Sequence, residues 1–255
     1  MKIAVCCKFT PDTEDVVALP DGTVNTAKAN WSVSEYDLQA IQAAADVCAE
    51  GDETYAVTAG TPDIDQTRLT KALLSRGNLS RLYRVMDDSL VGADAAATAR
   101  VLAAALRATQ ADVVLFGEGS SDRYARVTGS LVAAELGWPC VNAVCAIERA
   151  GDAFTVERDV EDGVEVVELT APCVIVTAST INIPPIPKMK ALLAAGKKPV
   201  ETVGVADLGV DPGASLEATG RGVPAEPGRK KMVLEGAPDD IAAQLVDLLR
   251  ADQVL

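Results

Sequence analysis

The run Gly117-Glu-Gly-Ser-Ser-Asp-Arg-Tyr-Ala-Arg-Val-Thr-Gly129 holds the residue types in this chain best suited to binding a charged ligand. It follows the apolar segment Ala111-Asp-Val-Val-Leu-Phe116 and leads into Ser130-Leu-Val-Ala-Ala-Glu-Leu-Gly137, so it reads as strand, loop and helix. Small residues at 117, 119 and 120 let backbone N–H groups come close to a ligand, and the positive end of the following helix dipole favours an anion there. Arg123 and Arg126 stand three residues apart, on one face of a helix predicted over 123–136, where forked guanidinium groups can hold a phosphate. Thr128 adds a hydroxyl. The same pattern also fits an ordinary glycine turn flanked by two solvated arginines.

Composition narrows the chemistry further. None of the 255 residues is histidine, which removes the usual general base, the usual metal ligand and every Ser-His or Cys-His nucleophile. The six cysteines lie mostly in apolar segments, with no C-x-x-C pair and no zinc or iron–sulfur spacing. Cys6 and Cys7 read as packing residues, because neighbours in a strand point to opposite faces. A net charge of −14 repels phosphate backbones and anionic lipid, and 4% aromatic content leaves little for base stacking, so nucleic acid is not an expected partner. No apolar run approaches the ~20 residues of a membrane span. Met1 to Lys8 is too short and too quickly polar for a signal peptide, and a cytoplasmic location is expected.

The elements that must position the glycine run alternate along the chain. Strands are predicted at 2–9, 54–58, 82–86 and 112–116, and helices at 34–50, 65–76, 93–108 and 123–136. This βαβα order predicts an α/β fold with a doubly wound, mostly parallel sheet. Ser34 with Asp37 three residues on reads as a variant capping box, and Gly51 and Gly77 as helix stops. After Pro139, β-segments at 141–147, 154–160, 164–169 and 173–177, with Asp162-Gly163 as a turn, predict an antiparallel extension. Prolines 184, 185 and 187 forbid regular structure at the start of 181–199, an exposed stiff loop with apolar Ile186 and Met189. It reads either as a docking surface or as a connector packing on its own domain. From about 204 to 228 the chain reads as a linker, then a short β-like run at 229–234, then a helix from Pro238 with Ile241, Leu245, Leu248 and Leu249 on one face. The division expected is 1–200 for the α/β domain and 201–255 for a linker and C-terminal arm.

The order of these features resembles the beta subunit of electron transfer flavoproteins, and more closely its FixA-type branch. The residues that carry the resemblance are Lys8-Phe-Thr-Pro-Asp12, Val33-Ser-Glu-Tyr-Asp-Leu38, Leu74-Ser-Arg-Gly77, Gly117-Glu-Gly-Ser-Ser-Asp-Arg-Tyr-Ala125, Thr155-Val-Glu-Arg-Asp-Val-Glu-Asp-Gly163, Leu169-Thr-Ala-Pro-Cys173, Asn182-Ile-Pro184, Pro187-Lys-Met-Lys-Ala191 and Lys197-Lys-Pro199. They span essentially the whole chain. The resemblance implies a nucleotide-binding α/β domain that pairs with an alpha subunit carrying the redox-active FAD, and that itself holds AMP or, in electron-bifurcating members, a second FAD. Carried over by position, the nucleotide contacts are Cys6, Ser34, Ala59, Ser120, Asp122, Arg123, Arg126, Val127 and Thr128. The loop Asp122-Arg-Tyr-Ala-Arg126 departs from the acidic, Asn- or Gly-containing loops of the AMP and bifurcating branches, and two arginines suit one phosphate as well as a pyrophosphate.

The resemblance also implies that 181–199 is the recognition loop that docks on acyl-CoA dehydrogenase-type flavoenzymes, with Ile186 and Met189 as anchors, and that 201–255 embraces the alpha subunit. Arg158 is expected in a structural ion pair, and Lys8 either adds positive charge to the site or is simply solvated. An electron-transfer subunit needs no bond-making residue of its own, which suits a chain without histidine. The alternative is a stand-alone adenine-nucleotide sensor of the same superfamily.

Overall fold

The computed structural model describes the whole chain except residues 214–215, 217–218, 221, 223–227 and 229–230. Its strands are Lys2–Cys6 (β1), Phe9–Pro11 (β2), Val17–Ala18 (β3), Val24–Asn25 (β4), Trp31–Val33 (β5), Glu53–Gly60 (β6), Leu82–Met86 (β7), Val113–Gly117 (β8), Cys140–Ala150 (β9), Ala153–Val160 (β10), Gly163–Thr170 (β11), Cys173–Thr177 (β12) and Val200–Val203 (β13). The helices are Glu35–Val47 (α1), Thr67–Leu74 (α2), Ala95–Thr109 (α3), Thr128–Leu136 (α4), Met189–Ala195 (α5) and Pro238–Ala251 (α6).

Nine strands form the central sheet in the order β11-β10-β9-β12-β8-β1-β6-β7-β13. From β9 to β13 every pairing is parallel, while β10 and β11 add an antiparallel hairpin ribbon at one edge. The apolar runs of β1, β6 and β8 are buried on both faces, as parallel strands between two helix layers must be. One layer joins Ile3 and Val5 to Ile41, Leu69 and Leu73 of α1 and α2; the other joins Ala4 and Val57 to Leu102, Leu106 and Val132 of α3 and α4. This is the predicted doubly wound α/β fold. Cys7 lies in the first layer and Cys6 in the second, and both thiols are unbridged.

Several local readings need correction. The helix expected over 123–136 begins only at Thr128, because Tyr124 and Arg126 take left-handed backbone angles, φ 44° and 58°, that a right-handed helix cannot contain. Arg123 and Arg126 therefore share no helical face. The capping box at Ser34 is not formed: Ser34 precedes α1 without a side-chain cap bond, and the Asp37 carboxylate turns inward instead. The first strand stops at Cys6 rather than running to Phe9, since the Lys8 amide leaves the ladder for Asp37. The ribbon turn is Glu161-Asp162, with Gly163 already paired to Val160 at φ 150°. Of the β-like run at 229–234, residues 229 and 230 lie outside the described set and 231–234 form no strand. Strand β13 pairs with β7 at the far edge of the sheet, which leaves the expected division at residue 200 untested.

Candidate functional site

The sheet order places a topological switch at its centre. From β1 the chain moves outward through β6 and β7, then returns to the other side of β1 as β8. Connections diverge at this point, and ligands of open parallel sheets bind in the crevice beyond the carboxyl ends of the two strands. A cleft of ≈ 350 Å³ lies there, within the size range of small-ligand sites. Its walls include Cys6 at the end of β1, Ala59 and Gly60 of β6, Phe116 and Gly117 of β8, and the loop that leads to α4.

The loop is shaped by packing as much as by hydrogen bonds. Tyr124 stacks on Tyr36 of the first turn of α1, with ring centroids 4.9 Å apart. A Cβ on Gly119 would collide with the Tyr124 ring, and one on Gly117 would collide with the backbone of Tyr36 and Asp37. Glycine at 117 and 119 is thus required by close approach. The Arg126 guanidinium lies 5.6 Å from the Tyr124 ring centroid and pairs with Glu118 at 3.1 Å. Two non-glycine residues of one turn, Tyr124 and Arg126, in left-handed backbone persist only where the surroundings over-determine them, a state concentrated at ligand sites.

Charge is arranged in layers. At the floor, Asp37 is 4% exposed and its carboxylate accepts the Lys8 amide at 2.7 Å and the Gly117 amide, tying the ends of β1 and β8 together. Burial pushes its pKa up to about 7 against the pull of those two N–H donors and the Lys8 charge. The same burial, with Asp37 beside them, drives the Cys6 and Cys7 thiols well above their ordinary range, so both stay protonated. Above the floor, Lys8 Nζ donates to both Asp122 carboxylate oxygens at 2.6 and 2.7 Å. Burial raises the Asp122 carboxyl, but the hydrogen bond and charge of Lys8 outweigh it and hold the group below the usual carboxylate range. At the rim, Arg123 is exposed and has no hydrogen bond or ion pair among the described residues.

Of the residues singled out in the sequence, Cys6, Ala59, Ser120, Asp122, Arg123, Arg126, Val127 and Thr128 all line this cleft. Ser34 does not. It sits behind the loop, where its hydroxyl is 3.4 Å from that of Ser121 and accepts the Ser121 amide at 3.3 Å. Ser121 in return accepts the Glu35 amide at 3.3 Å, so the loop caps α1. Ile186 and Met189 lie outside the cleft, 90% and 70% exposed. Arg158 makes the expected ion pair, at 3.6 Å with Glu165, its cross-strand partner. Sequence reasoning misses Asp37 as a floor residue and Tyr124 as the ring that braces the loop; an acidic residue in the first turn of α1 that falls on the same side as Ala40, Ile41 and Ala44 is the available signal for the first.

Fold and cleft together define a doubly wound, Rossmann-like α/β protein with a ligand-sized crevice at its switch point. The chain belongs to the electron transfer flavoprotein family: the electron transfer flavoprotein domain matches residues 21–208, well over half its length. Proteins of this family carry electrons rather than make and break bonds. No helix among the described residues is long and apolar enough to cross a membrane.

Proposed function

We propose that this chain is the beta subunit of a heterodimeric electron transfer flavoprotein of the FixA-type branch, working in the cytoplasm and binding AMP or a second FAD in the switch-point cleft. The carrying observation is the cleft itself. Its lining combines apolar Cys6, Ala59, Leu90, Leu102 and Phe116 with a loop that offers Arg123, Arg126 and Thr128, a combination that suits the flat base and the phosphate of a nucleotide. FAD, when bound, supplies the centre that accepts and releases electrons. The chain's own residues bind and orient: Lys8 and Asp37 fix the floor, Arg123 meets phosphate, and Arg126 exchanges Glu118 for it. Neither buried thiol has the thiolate character that redox chemistry needs.

Two further surfaces support the subunit reading. No residue of α6 is buried, so its apolar face, with Leu245 and Val246 exposed, is free to lie on an alpha subunit. The Pro-rich segment presents Ile183, Ile186 and Met189 to solvent, which suits docking on an acyl-CoA dehydrogenase-type flavoenzyme. The test is co-expression with an adjacent alpha-subunit gene, acid release of bound ligands and chromatographic counting. One or two FAD per heterodimer, with AMP where FAD is one, is the expected result. A colourless monomer or homodimer that binds nucleotide alone identifies the stand-alone sensor instead.

A further inference from the structure

The Pro-rich segment is held to the domain by two polar clasps, one made by its own Asn182 side chain and one by Arg76 reaching its backbone. Asn182 Nδ2 donates to the Gln39 carbonyl of α1 at 3.0 Å, and Arg76 Nη1, just past α2, donates to the Pro185 carbonyl at 3.4 Å. The clasped positions, 182 and 185, are three apart. So are Ile183 and Ile186, which are 95% and 90% exposed. Three residues is the repeat of polyproline II, the conformation that prolines at 184, 185 and 187 favour, so one edge of the segment is tied down while the other carries isoleucine outward.

The platform beneath is firm. Gly77 has φ 53°, and a Cβ there would collide with Ile41, so the end of α2 rests directly on α1. Ile181 packs against the same core layer, which fixes where the segment leaves the domain. The clasps are also incomplete: Arg76 Nε and Asn182 Oδ1 are both buried without a hydrogen-bond partner. Burying unmet polar atoms opposes folding, so each clasp carries a cost beside the one hydrogen bond it makes.

We infer that Arg76 and Asn182 are positioning residues of the docking segment, Asn182 tying it to the backbone of α1 and Arg76 tying its backbone to the end of α2, so that Ile183 and Ile186 stand outward as a preset apolar ridge. This rests on the reading that the segment docks a flavoenzyme. Presetting the ridge removes the ordering cost of docking, so its loss falls on the encounter and not on the flavin or the nucleotide.

The experiment uses the heterodimer and, as probe, a purified acyl-CoA dehydrogenase turning over its acyl-CoA. The double variant Arg76→Ala/Asn182→Asp removes both donors while keeping the shape of residue 182. Its KM for the dehydrogenase is expected to rise about tenfold, with kcat at saturating dehydrogenase and nucleotide content within twofold of wild type. Amide exchange is expected to quicken over 183–190 only. Arg76→Lys, which keeps a cationic donor, restores most of the KM in the Arg76 single variant. An unchanged KM in the double variant beside a raised KM in Ile186→Asp overturns the clasp and leaves docking standing. An unchanged KM in both removes the docking reading and the inference with it, and a loss of nucleotide together with kcat shows general damage and also overturns the clasp.

Discussion

The cleft loop of residues 117–129 and the Pro-rich segment of residues 181–187 are both surface connections held in one shape, by opposite means. The first carries Glu118, Asp122, Arg123 and Arg126 in thirteen residues; the second carries no charge at all. Glycine lets the cleft loop fold tightly against Tyr36, and paired charges fill its concave side. Proline stiffens the other segment, which turns apolar side chains out. A concave, charged, tightly braced loop suits a small anion, whereas exposed apolar groups on a stiff backbone suit a protein. Helix α1 braces both: its first turn meets the cleft loop through Ser34 and Tyr36, and the Gln39 carbonyl one turn on holds Asn182.

The strongest way to break this comparison is at the arginines. Arg123→Ala with Arg126→Ala removes the two guanidinium groups of the rim, each worth about 1.5–3 kcal/mol in a charge-assisted hydrogen bond. Nucleotide affinity is expected to fall at least ~100-fold, since about 1.4 kcal/mol is a factor of ten. Undiminished occupancy after dialysis of the purified heterodimer would remove the phosphate role from the loop. Because Arg126 already pairs with Glu118 and Arg123 is unpaired, the Arg123 single variant is expected to account for more of the loss.

The sequence made the fold legible because its signals are local and repeated. Runs such as Val113-Val-Leu-Phe116 and Ile3-Ala-Val-Cys6 are continuously apolar where a buried parallel strand must be, and alanine-rich helices alternate with them. The position of the loop between strand and helix is legible in the sequence; its conformation is not. Nothing in Asp122-Arg-Tyr-Ala-Arg126 forbids a helix turn locally; the left-handed residues follow from Tyr124 stacking on Tyr36, some ninety positions earlier in sequence. For the same reason Asp37 passes, on local sequence alone, for half of a capping box. Its true partners, the amides of Lys8 and Gly117, reach it only once β1 and β8 lie side by side.

The Pro-rich segment offers the next effect. Ile186→Asp places a charge at the centre of the exposed ridge, where a partner would have to desolvate it. Electron exchange with the dehydrogenase is expected to slow about tenfold at subsaturating concentration, an order-of-magnitude loss for one apolar anchor. Nucleotide content and heterodimer yield should not move, because Ile186 touches neither the cleft nor the core. Stopped-flow traces at two dehydrogenase concentrations check this. Loss of nucleotide in this variant, or slowed docking in the arginine variant at full occupancy, would dissolve the distinction between the two regions.

The smallest effect probes the floor of the cleft, with both loops untouched. Asp37 titrates at about 7 in the folded chain against an ordinary 3.8, because burial opposes its charge more than the Lys8 and Gly117 amides support it. The folded chain therefore keeps a proton that the unfolded chain has already released between these values. Stability falls as pH rises through that window and levels off above 7. Between pH 6 and pH 8 the expected loss is about 1 kcal/mol, at roughly 1.4 kcal/mol per unit of proton linkage. Lys8, Asp122, Cys6 and Cys7 face the group, and no histidine titrates alongside it. Asp37→Asn keeps an acceptor for the amides and removes the titration. Urea midpoints at the two pH values should converge in this variant and differ in wild type. An equal slope in both would mean that Asp37 is fully ionised in the native chain, and that the Lys8–Asp122 pair above it, not the floor, sets the charge of the cleft.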